Sequence, residues 1–165
     1  MIKFLLGIVI VVAASLIGRA LARNYLRRKR FFAQMEQFNQ RFLAEISYYR
    51  RPLFEVYAQY SYEGEFQELL ESFFLLQKQG ETLKNASLLD LSAFSFLDEE
   101  DRRAVGDYFL TIGRGNTVSQ KEYFSTAEKM LSKYREQSEI DCKKHVDLYT
   151  KLGFLAGLAI LILIL

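Results

Sequence analysis

The sequence predicts an all-α protein, an antiparallel helical bundle whose long N- and C-terminal helices extend into membrane segments. Two observations lead to this prediction. Apolar residues recur every three or four positions through the middle of the chain, which is the period of an amphipathic helix, and the alternating pattern of a strand is missing. Both ends of the 165-residue chain contain long uncharged apolar runs, and Pro52 is its one proline. A chain of this length suffices for about one domain.

The N-terminal segment, residues 1–22, is expected to be a transmembrane anchor. Phe4–Gly18 is a run of 15 uncharged residues, and a helix over residues 1–22 is long enough to cross a hydrocarbon core of about 30 Å. A cleaved signal peptide is the alternative, with the small residues of Ala20–Ala22 as its cleavage site. Arg19 and the basic cluster that follows would oppose translocation, so the sequence favours a retained anchor.

The C-terminal segment, residues 152–165, is expected to enter the same membrane. Its 14 residues carry no charge, but as a helix they extend only about 21 Å, so the sequence leaves open whether they span the bilayer. Gly153, Ala156 and Gly157 place small residues on one side, which permits close contact with another helix. Residues 23–151, between the two ends, are expected to form a cytoplasmic helical bundle.

Basic residues flank both apolar segments, although the net charge of the whole chain is only +2. Cytoplasmic flanks of membrane helices carry excess Lys and Arg, so the pattern predicts a cytoplasmic central domain with its basic side chains near anionic lipid rather than nucleic acid. Ser61–Leu110, by contrast, holds eleven acids and four bases. The membrane-proximal basic residues are Arg23, Arg27, Arg28, Lys29, Arg30, Lys143, Lys144 and Lys151.

Two long helices are predicted in the first half of the bundle. The first covers Ala20–Arg51 and ends at Pro52, because the residue before a proline is driven out of the helical region. Its apolar stripe consists of Phe31, Met35, Phe38, Phe42, Ile46 and Tyr49. The second covers Glu65–Gln79, and its segment Phe73–Leu76 is apolar all round, which predicts central burial.

Two further helices are predicted in the second half of the bundle. Asp98–Asp101 opens the first of them, with carboxylates at the positive end of the helix. Its inner face is Val105, Tyr108, Phe109 and Ile112. Ser119 and Glu122 are expected to form the capping box of a final helix that runs to the C-terminus. The core-facing stripe of that helix is Tyr123, Ala127, Met130, Leu131 and Tyr134.

No catalytic, cofactor-binding or metal-binding residue is predicted, and an enzyme is not expected. Cys142 and His145 lie one helical turn apart, but a structural zinc needs four ligands and the chain has one Cys and one His. Capping explains Asp98–Asp101 more simply than metal binding does. A single cysteine cannot form an internal disulfide, which suits a reducing compartment.

Three short strings of residues carry a resemblance to a known family. Glu45–Tyr48 followed by Pro52 and Leu53 resembles E-I-x-Y…P-L, Ile112–Gln120 resembles L-G-x-x-D-x-x-x-Q, and Tyr149–Gly157 resembles Y-x-x-L-G-x-L-x-G. In order and spacing they resemble the stage III sporulation protein AB family over essentially the whole chain, although Asn116 stands where Asp is usual and Ile112 where Leu is usual. The matching residues are Glu45, Tyr48, Pro52, Leu53, Gly113, Asn116, Gln120, Leu152, Gly153 and Gly157.

The resemblance implies a role as well as a fold. That family is similar to the platform proteins of type II secretion and type IV pilus systems. The resemblance therefore implies that this chain is a non-catalytic component of the channel complex between mother cell and forespore. It would be held in the mother-cell membrane around the forespore. The implied partners are other stage III sporulation subunits, including a secretion-type ATPase, and membrane lipid, with no small-molecule substrate.

Two other interpretations remain open at the level of the sequence. One is a membrane-anchored helical interaction or adaptor module without a secretion role. The other is an enzyme or secreted protein behind a cleaved signal peptide.

Overall fold

The computed structural model describes residues 2–48, 55, 57, 59–78, 89–112 and 117–164. Every regular element in these ranges is a helix and none is a strand, which confirms the predicted all-α class. Pro52, Leu53, Gly113 and Asn116, four of the predicted family-motif residues, lie outside the described residues, as does Tyr49. The elements are α1 (Ile2–Leu21), α2 (Arg23–Tyr48), α3 (Gly64–Lys78), a 3-10 helix (Leu91–Ala93), α4 (Glu99–Thr111) and α5 (Thr117–Ile164).

The chain divides into two compact units. The first unit comprises Met1–Lys29 together with Gln137–Leu165, and the second unit comprises Arg30–Glu136. α1 and the C-terminal part of α5 therefore belong to the first unit, whereas α3, α4 and most of α2 belong to the second. The predicted division into residues 1–22, 23–151 and 152–165 follows membrane depth rather than compactness, and it stays a prediction.

Aromatic side chains form the core of the second unit. Phe66 of α3 contacts Phe31 of α2 edge to face, with 5.5 Å between ring centroids, and Phe42 of α2 contacts Phe124 of α5 in the same way at 4.6 Å. This is the arrangement that aromatic quadrupoles favour. Phe32 lies against Tyr134 at 5.1 Å. Since positions on α5 fall as those on α2 rise, the two helices are antiparallel, as predicted.

The predicted apolar stripes are largely buried. Phe31, Met35, Phe38, Phe42 and Ile46 are all buried along α2, and the whole predicted inner face of α4 is buried as well. The expectation that Phe73–Leu76 would be buried all round is wrong at Leu75, which is 58% exposed. Only one face of α3 packs against the rest of the second unit, so Leu75 on the opposite face is exposed to solvent.

Two predicted helix starts differ in outcome. At α4, Asp98 accepts a hydrogen bond from the backbone N–H of Asp101 at 2.8 Å and the reciprocal bond is present, so the acidic run opens a helix as predicted. At α5 the prediction is wrong, because the helix begins at Thr117 and Ser119 lies inside its first turn. Asn116, Thr117 and Ser119 are all residue types that favour a helix cap, so the sequence alone does not select among them.

The predicted helix over Ala20–Arg51 is interrupted at Ala22, between α1 and α2. The interruption is slight. The Ala22 amide donates to the Gly18 carbonyl at 3.2 Å and the Leu26 amide donates to the Ala22 carbonyl at 3.4 Å. Helical hydrogen bonds thus continue across the break.

Candidate membrane interface

Glycines bring α1 and the C-terminal part of α5 into close contact within the first unit. A Cβ placed on Gly153 would lie 2.6 Å from the carbonyl oxygen of Ala14, and one on Gly157 would lie 2.8 Å from the Cα of Val11. A Cβ on Gly18 would clash with the carbonyl oxygen of Tyr149. The close helix contact predicted from Gly153 and Gly157 is therefore present. Contacts this close need small residues, as in packed membrane helices.

The sides of these helices that face away from each other are apolar and exposed. Ile17 is 63% exposed on α1, and Leu155 and Ile162 are 59% and 75% exposed on α5. The predicted motif residue Leu152 is exposed as well, whereas Ala156 lies outside the glycine contact. Contiguous apolar surface of this kind is typical of membrane or protein interaction sites, because water solvates it poorly.

Within the described ranges, one helix is long and apolar enough to cross a membrane. It is the stretch Ser119–Ile162 of α5, whose most apolar 18-residue window has a mean hydropathy of 1.4 and is only 6% buried. A helix in the core of a soluble protein would be mostly buried. By length, composition and exposure, the end of α5 is thus a candidate membrane span, and the anchor over residues 1–22 stays a prediction.

Ion pairs join α2 and α5 just beyond the apolar ends of the first unit. Arg28 donates to the Asp141 carboxylate at 3.0 Å, and Lys29 donates to the Glu139 carboxylate at 3.0 Å. The Arg28 side chain is only 14% exposed, whereas that of Lys29 is 42% exposed. Basic residues of α2 thus face acidic residues of α5, and the Arg28 pair is the better shielded of the two.

The other predicted basic residues lie mostly at the surface. Lys151 pairs with Asp147 one turn earlier at 2.6 Å, and Arg27 is half-buried. Exposed ammonium and guanidinium groups beside an apolar surface are suited to anionic headgroups, so lipid contact remains a prediction for them. The exposed basic residues are Arg23, Arg30, Lys143, Lys144 and Lys151.

Three aromatic rings form a stacked group in the first unit, at chain positions between the ion pairs and the apolar ends. The rings of Tyr25 and His145 are 4.1 Å apart and almost parallel, and Tyr149 lies 6.3 Å from each. His145 Nδ1 is 2.8 Å from the Asp141 carbonyl oxygen, an acceptor, so Nδ1 carries the proton. Tyrosine is a residue type enriched at membrane–water boundaries, and Tyr25 and Tyr149 fit that preference.

The structure does not bring Cys142 and His145 into a reactive pair. Cys142 is buried, and His145 is held by the Asp141 carbonyl and the Tyr25 ring. In the part of the chain that the structure describes, no three His, Cys, Asp or Glu side chains form a group able to hold a metal ion. The arrangement of these residues is that of a packing contact.

In the second unit, one buried amide links three helices. Asn39 of α2 donates to the Phe124 carbonyl of α5 at 3.0 Å and accepts from the Tyr108 hydroxyl of α4 at 3.1 Å. Sequence analysis missed Asn39 and Phe124. Burial raises the pKa of Tyr108 well above its usual value, since the charged form would be desolvated.

The motif residue Glu45 lies in a second polar group. It is 5% exposed and accepts a hydrogen bond from the Tyr60 hydroxyl at 3.3 Å. The Arg41 guanidinium lies 4.5 Å above the ring of Tyr60 and 5.4 Å from that of Tyr62, within the range of a cation–π contact. These contacts attach the segment before α3 to α2.

Two further motif residues differ in exposure. Gln120 is buried and its amide donates to the Thr111 carbonyl at 3.1 Å, which satisfies a free carbonyl at the end of α4. Tyr48 is 82% exposed. The geometry therefore gives Gln120 a structural contact and leaves Tyr48 at the surface.

Comparison with known proteins gives one result. Searches of curated proteins and of solved structures found no significant match. The sequence model of the stage III sporulation protein AB family matches residues 3–165, in agreement with the resemblance drawn from the motif residues. Together with the candidate membrane helix, this match indicates a membrane-associated stage III sporulation protein. Because the match covers the chain from its third residue to its last, the chain belongs to the stage III sporulation protein AB family.

Proposed function

We propose that this chain is a non-catalytic platform subunit of the sporulation channel complex between mother cell and forespore. In this proposal the first unit is anchored in the mother-cell membrane around the forespore, and the second unit is a cytoplasmic docking body for a secretion-type ATPase. The observation that carries the proposal is the antiparallel contact of α1 with α5 at Gly18, Gly153 and Gly157. It brings both apolar ends of the chain together and leaves their outer sides apolar, as a two-helix anchor requires.

The same contact supports a retained N-terminal segment over a cleaved signal peptide. Val11, Ala14 and Gly18 of α1 lie against α5 at distances that leave no room for a side chain. Removal of residues 1–22 would expose Gly153 and Gly157 without a neighbour. A retained anchor that packs against the C-terminal part of α5 accounts for both the close contact and the glycines at positions 153 and 157.

Charge supports the orientation. Arg23, Arg27 and the Lys143–Lys144 pair lie on the side of the apolar ends that leads to the second unit along the chain. An excess of Lys and Arg marks cytoplasmic flanks. The second unit is accordingly cytoplasmic in this proposal.

The surface offered to the ATPase is acidic. Glu68 and Glu71 of α3 and Glu100 and Asp107 of α4 are exposed. Arg103, the exposed base of α4, is already paired with Glu99 at 3.3 Å. A basic patch on a partner would complement these exposed carboxylates and would speed association in a salt-dependent way.

Co-purification of the ATPase with the full-length chain from sporulating cells tests the proposal. Glu68→Lys with Glu71→Lys should remove the ATPase from the purified complex, and the control Glu122→Lys, an exposed acid on α5 of the same unit, should not. Retention of the ATPase by both variants would eliminate the docking role and leave the membrane-anchored adaptor as the better description.

Orientation is tested separately. A cysteine at exposed Ser72, in a Cys142→Ser background, should react with a membrane-impermeant thiol reagent only after the mother-cell membrane is permeabilised. Labelling in intact cells would contradict the cytoplasmic placement of the second unit.

A further inference from the structure

We infer that a groove along α2 and α5 in the first unit binds the juxtamembrane helix of another membrane protein. The helix would cover the apolar floor of the groove and would place an acidic residue of its own opposite Lys143. The inference rests on the membrane anchoring in the proposed function and is independent of the ATPase.

The groove has a volume of about 530 Å³ and an apolar floor. Leu26 of α2 and Ile140, Cys142 and Val146 of α5 line it. Ile140 is 53% exposed and Leu26 is 38% exposed, although charged residues surround them. Apolar side chains at this level gain free energy when a partner removes them from water.

The position of Ile140 argues that protein rather than lipid covers it. Ile140 precedes Leu152, the first residue of the uncharged tail, by twelve residues, which is about 18 Å of helix. On α2, Arg28, which pairs with the neighbouring Asp141, follows Ala22, the last residue of the predicted anchor, by six residues, which is about 9 Å of helix. The headgroup layer on one side of a bilayer is only about 6 Å thick. A phospholipid at its normal depth does not reach Ile140.

The charges at the rim select the chemistry of the partner. Lys29 is paired with Glu139, and Asp147 is paired with Lys151. Lys143, which also lines the groove, has no ion-pair partner among the described residues. When Lys151 is counted with Asp147, the paired charges cancel and Lys143 remains as the one base without an ion-pair partner at this rim, so an acidic side chain on the partner would complement it.

The same accounting argues against a second copy of this chain as the occupant. The first unit contains three acidic residues, Glu139, Asp141 and Asp147. Each is already ion-paired, Asp141 with Arg28. The corresponding part of a second copy would thus offer no free acid to Lys143.

The groove leads toward the membrane. Its lining extends to Thr150, and Phe154, one turn further along α5, is 48% exposed. A helix that leaves the bilayer beside α5 would pass Phe154 and then enter the groove. This continuity indicates a membrane-embedded neighbour instead of a soluble protein.

Site-specific photo-cross-linking in sporulating cells tests the inference. The full-length chain carries benzoyl-phenylalanine at Ile140 or, as a matched control, at Leu148, an apolar residue that is 46% exposed and does not line the groove. The Ile140 probe should form an adduct that mass spectrometry maps to a helix directly preceding or following a membrane span, with Asp or Glu within one turn. The Leu148 probe should not form it.

A charge exchange completes the test. Lys143→Glu should lower the yield of that adduct about tenfold, a Lys replacing the partner's acid should restore it, and Lys144→Glu should leave it unchanged. Adducts with a second copy, with lipid alone or with a soluble protein, or no adduct from Ile140, would overturn the inference. Retention of the ATPase by Glu68→Lys with Glu71→Lys, with the Ile140 adduct still formed in the unaltered chain, would refute only the docking role in the proposed function.

Discussion

The hydroxyl of Tyr108 donates to the side-chain oxygen of Asn39 at 3.1 Å, and both residues are completely buried. Because the Asn39 amide also donates to the Phe124 carbonyl, one polar side chain is bonded to both α4 and α5. Buried hydrogen-bond groups of this kind fix the relative position of helices, since sliding one of them would leave polar atoms unpaired.

Removal of the Tyr108 hydroxyl should destabilise the second unit. Tyr108→Phe leaves the Asn39 oxygen without its donor, which should lower the free energy of unfolding by about 1–3 kcal/mol. Urea denaturation of the full-length chain in mild detergent measures the change. Tyr123→Phe is the control, because Tyr123 is only half-buried and its hydroxyl makes a long, exposed bond of 3.5 Å to the Asp107 carbonyl. Equal losses for the two variants would contradict the role of the buried bond.

Alkaline pH should destabilise the same unit. Burial raises the pKa of Tyr108 well above the ordinary value of 10.0. A tyrosine whose pKa is higher in the folded state keeps its proton more tightly there, so its contribution to stability is complete below pH 10 and is lost as the pH rises through the folded-state pKa. The free energy of unfolding should therefore fall above pH 10, and less steeply in Tyr108→Phe. Parallel pH profiles would show that another group controls alkaline unfolding, and Tyr134, whose pKa burial also raises, would be the next candidate.

Periodicity in the sequence was sufficient to predict the helices and most of the core, as the buried stripe of α2 demonstrates. It was insufficient at Phe32 and Phe124, which are fully buried next to predicted stripe residues. A periodic apolar stripe identifies a single buried face of a helix, whereas α2 is contacted by α3 on one face and by α5 on another. Asn39 was missed because its partners come from distant parts of the chain.

Only part of the candidate membrane interface could be predicted, because here too some contacts join distant parts of the chain. Gly153 and Gly157 stand out as small residues in an apolar helix. Gly18 does not, because its role depends on which α5 residue lies opposite in the antiparallel pair. The register of two helices that are separated by more than a hundred residues is set by packing, which no local pattern records.

Enlarging Gly153 should separate α1 from the end of α5. Gly153→Leu would place side-chain atoms against the Ala14 carbonyl, where a Cβ alone would be 2.6 Å away, and overpacking of this kind costs about 1–3 kcal/mol. Spin labels at exposed Leu16 and Leu155, in a Cys142→Ser background, report the separation by dipolar broadening. Ala156→Leu, at an exposed position of the same helix, should preserve the broadening. If it is retained in Gly153→Leu as well, the glycine contact does not hold the helices together.

Removal of the α4 cap should destabilise the second unit. Asp98→Ala eliminates the bond that the Asp98 side chain accepts from the backbone N–H of Asp101, whereas the backbone N–H of residue 98 still donates to the buried Asp101 carboxylate. The expected loss is about 0.5–2 kcal/mol, typical of an N-cap. Glu99→Gln should change unfolding by less than about 1 kcal/mol, because its pair with Arg103 is exposed. A larger loss in Glu99→Gln, measured by the same urea titration, would mean that charge near the helix end matters more than the cap.

The two ion pairs between α2 and α5 should contribute unequally to the first unit. Asp141→Asn removes the charge that faces a shielded Arg28 and should cost about 1–3 kcal/mol, whereas Glu139→Gln at the exposed Lys29 pair should cost about 0–1 kcal/mol. Cys142, the single cysteine, is buried in this unit and reports its opening by the rate at which a thiol reagent labels it. Each rate is normalised to that of the denatured variant, so that altered thiol reactivity cancels. Asp141→Asn should speed labelling about tenfold and Glu139→Gln much less, with added salt reducing only the smaller effect. The reverse order would place the main electrostatic contribution at Lys29 and Glu139 instead.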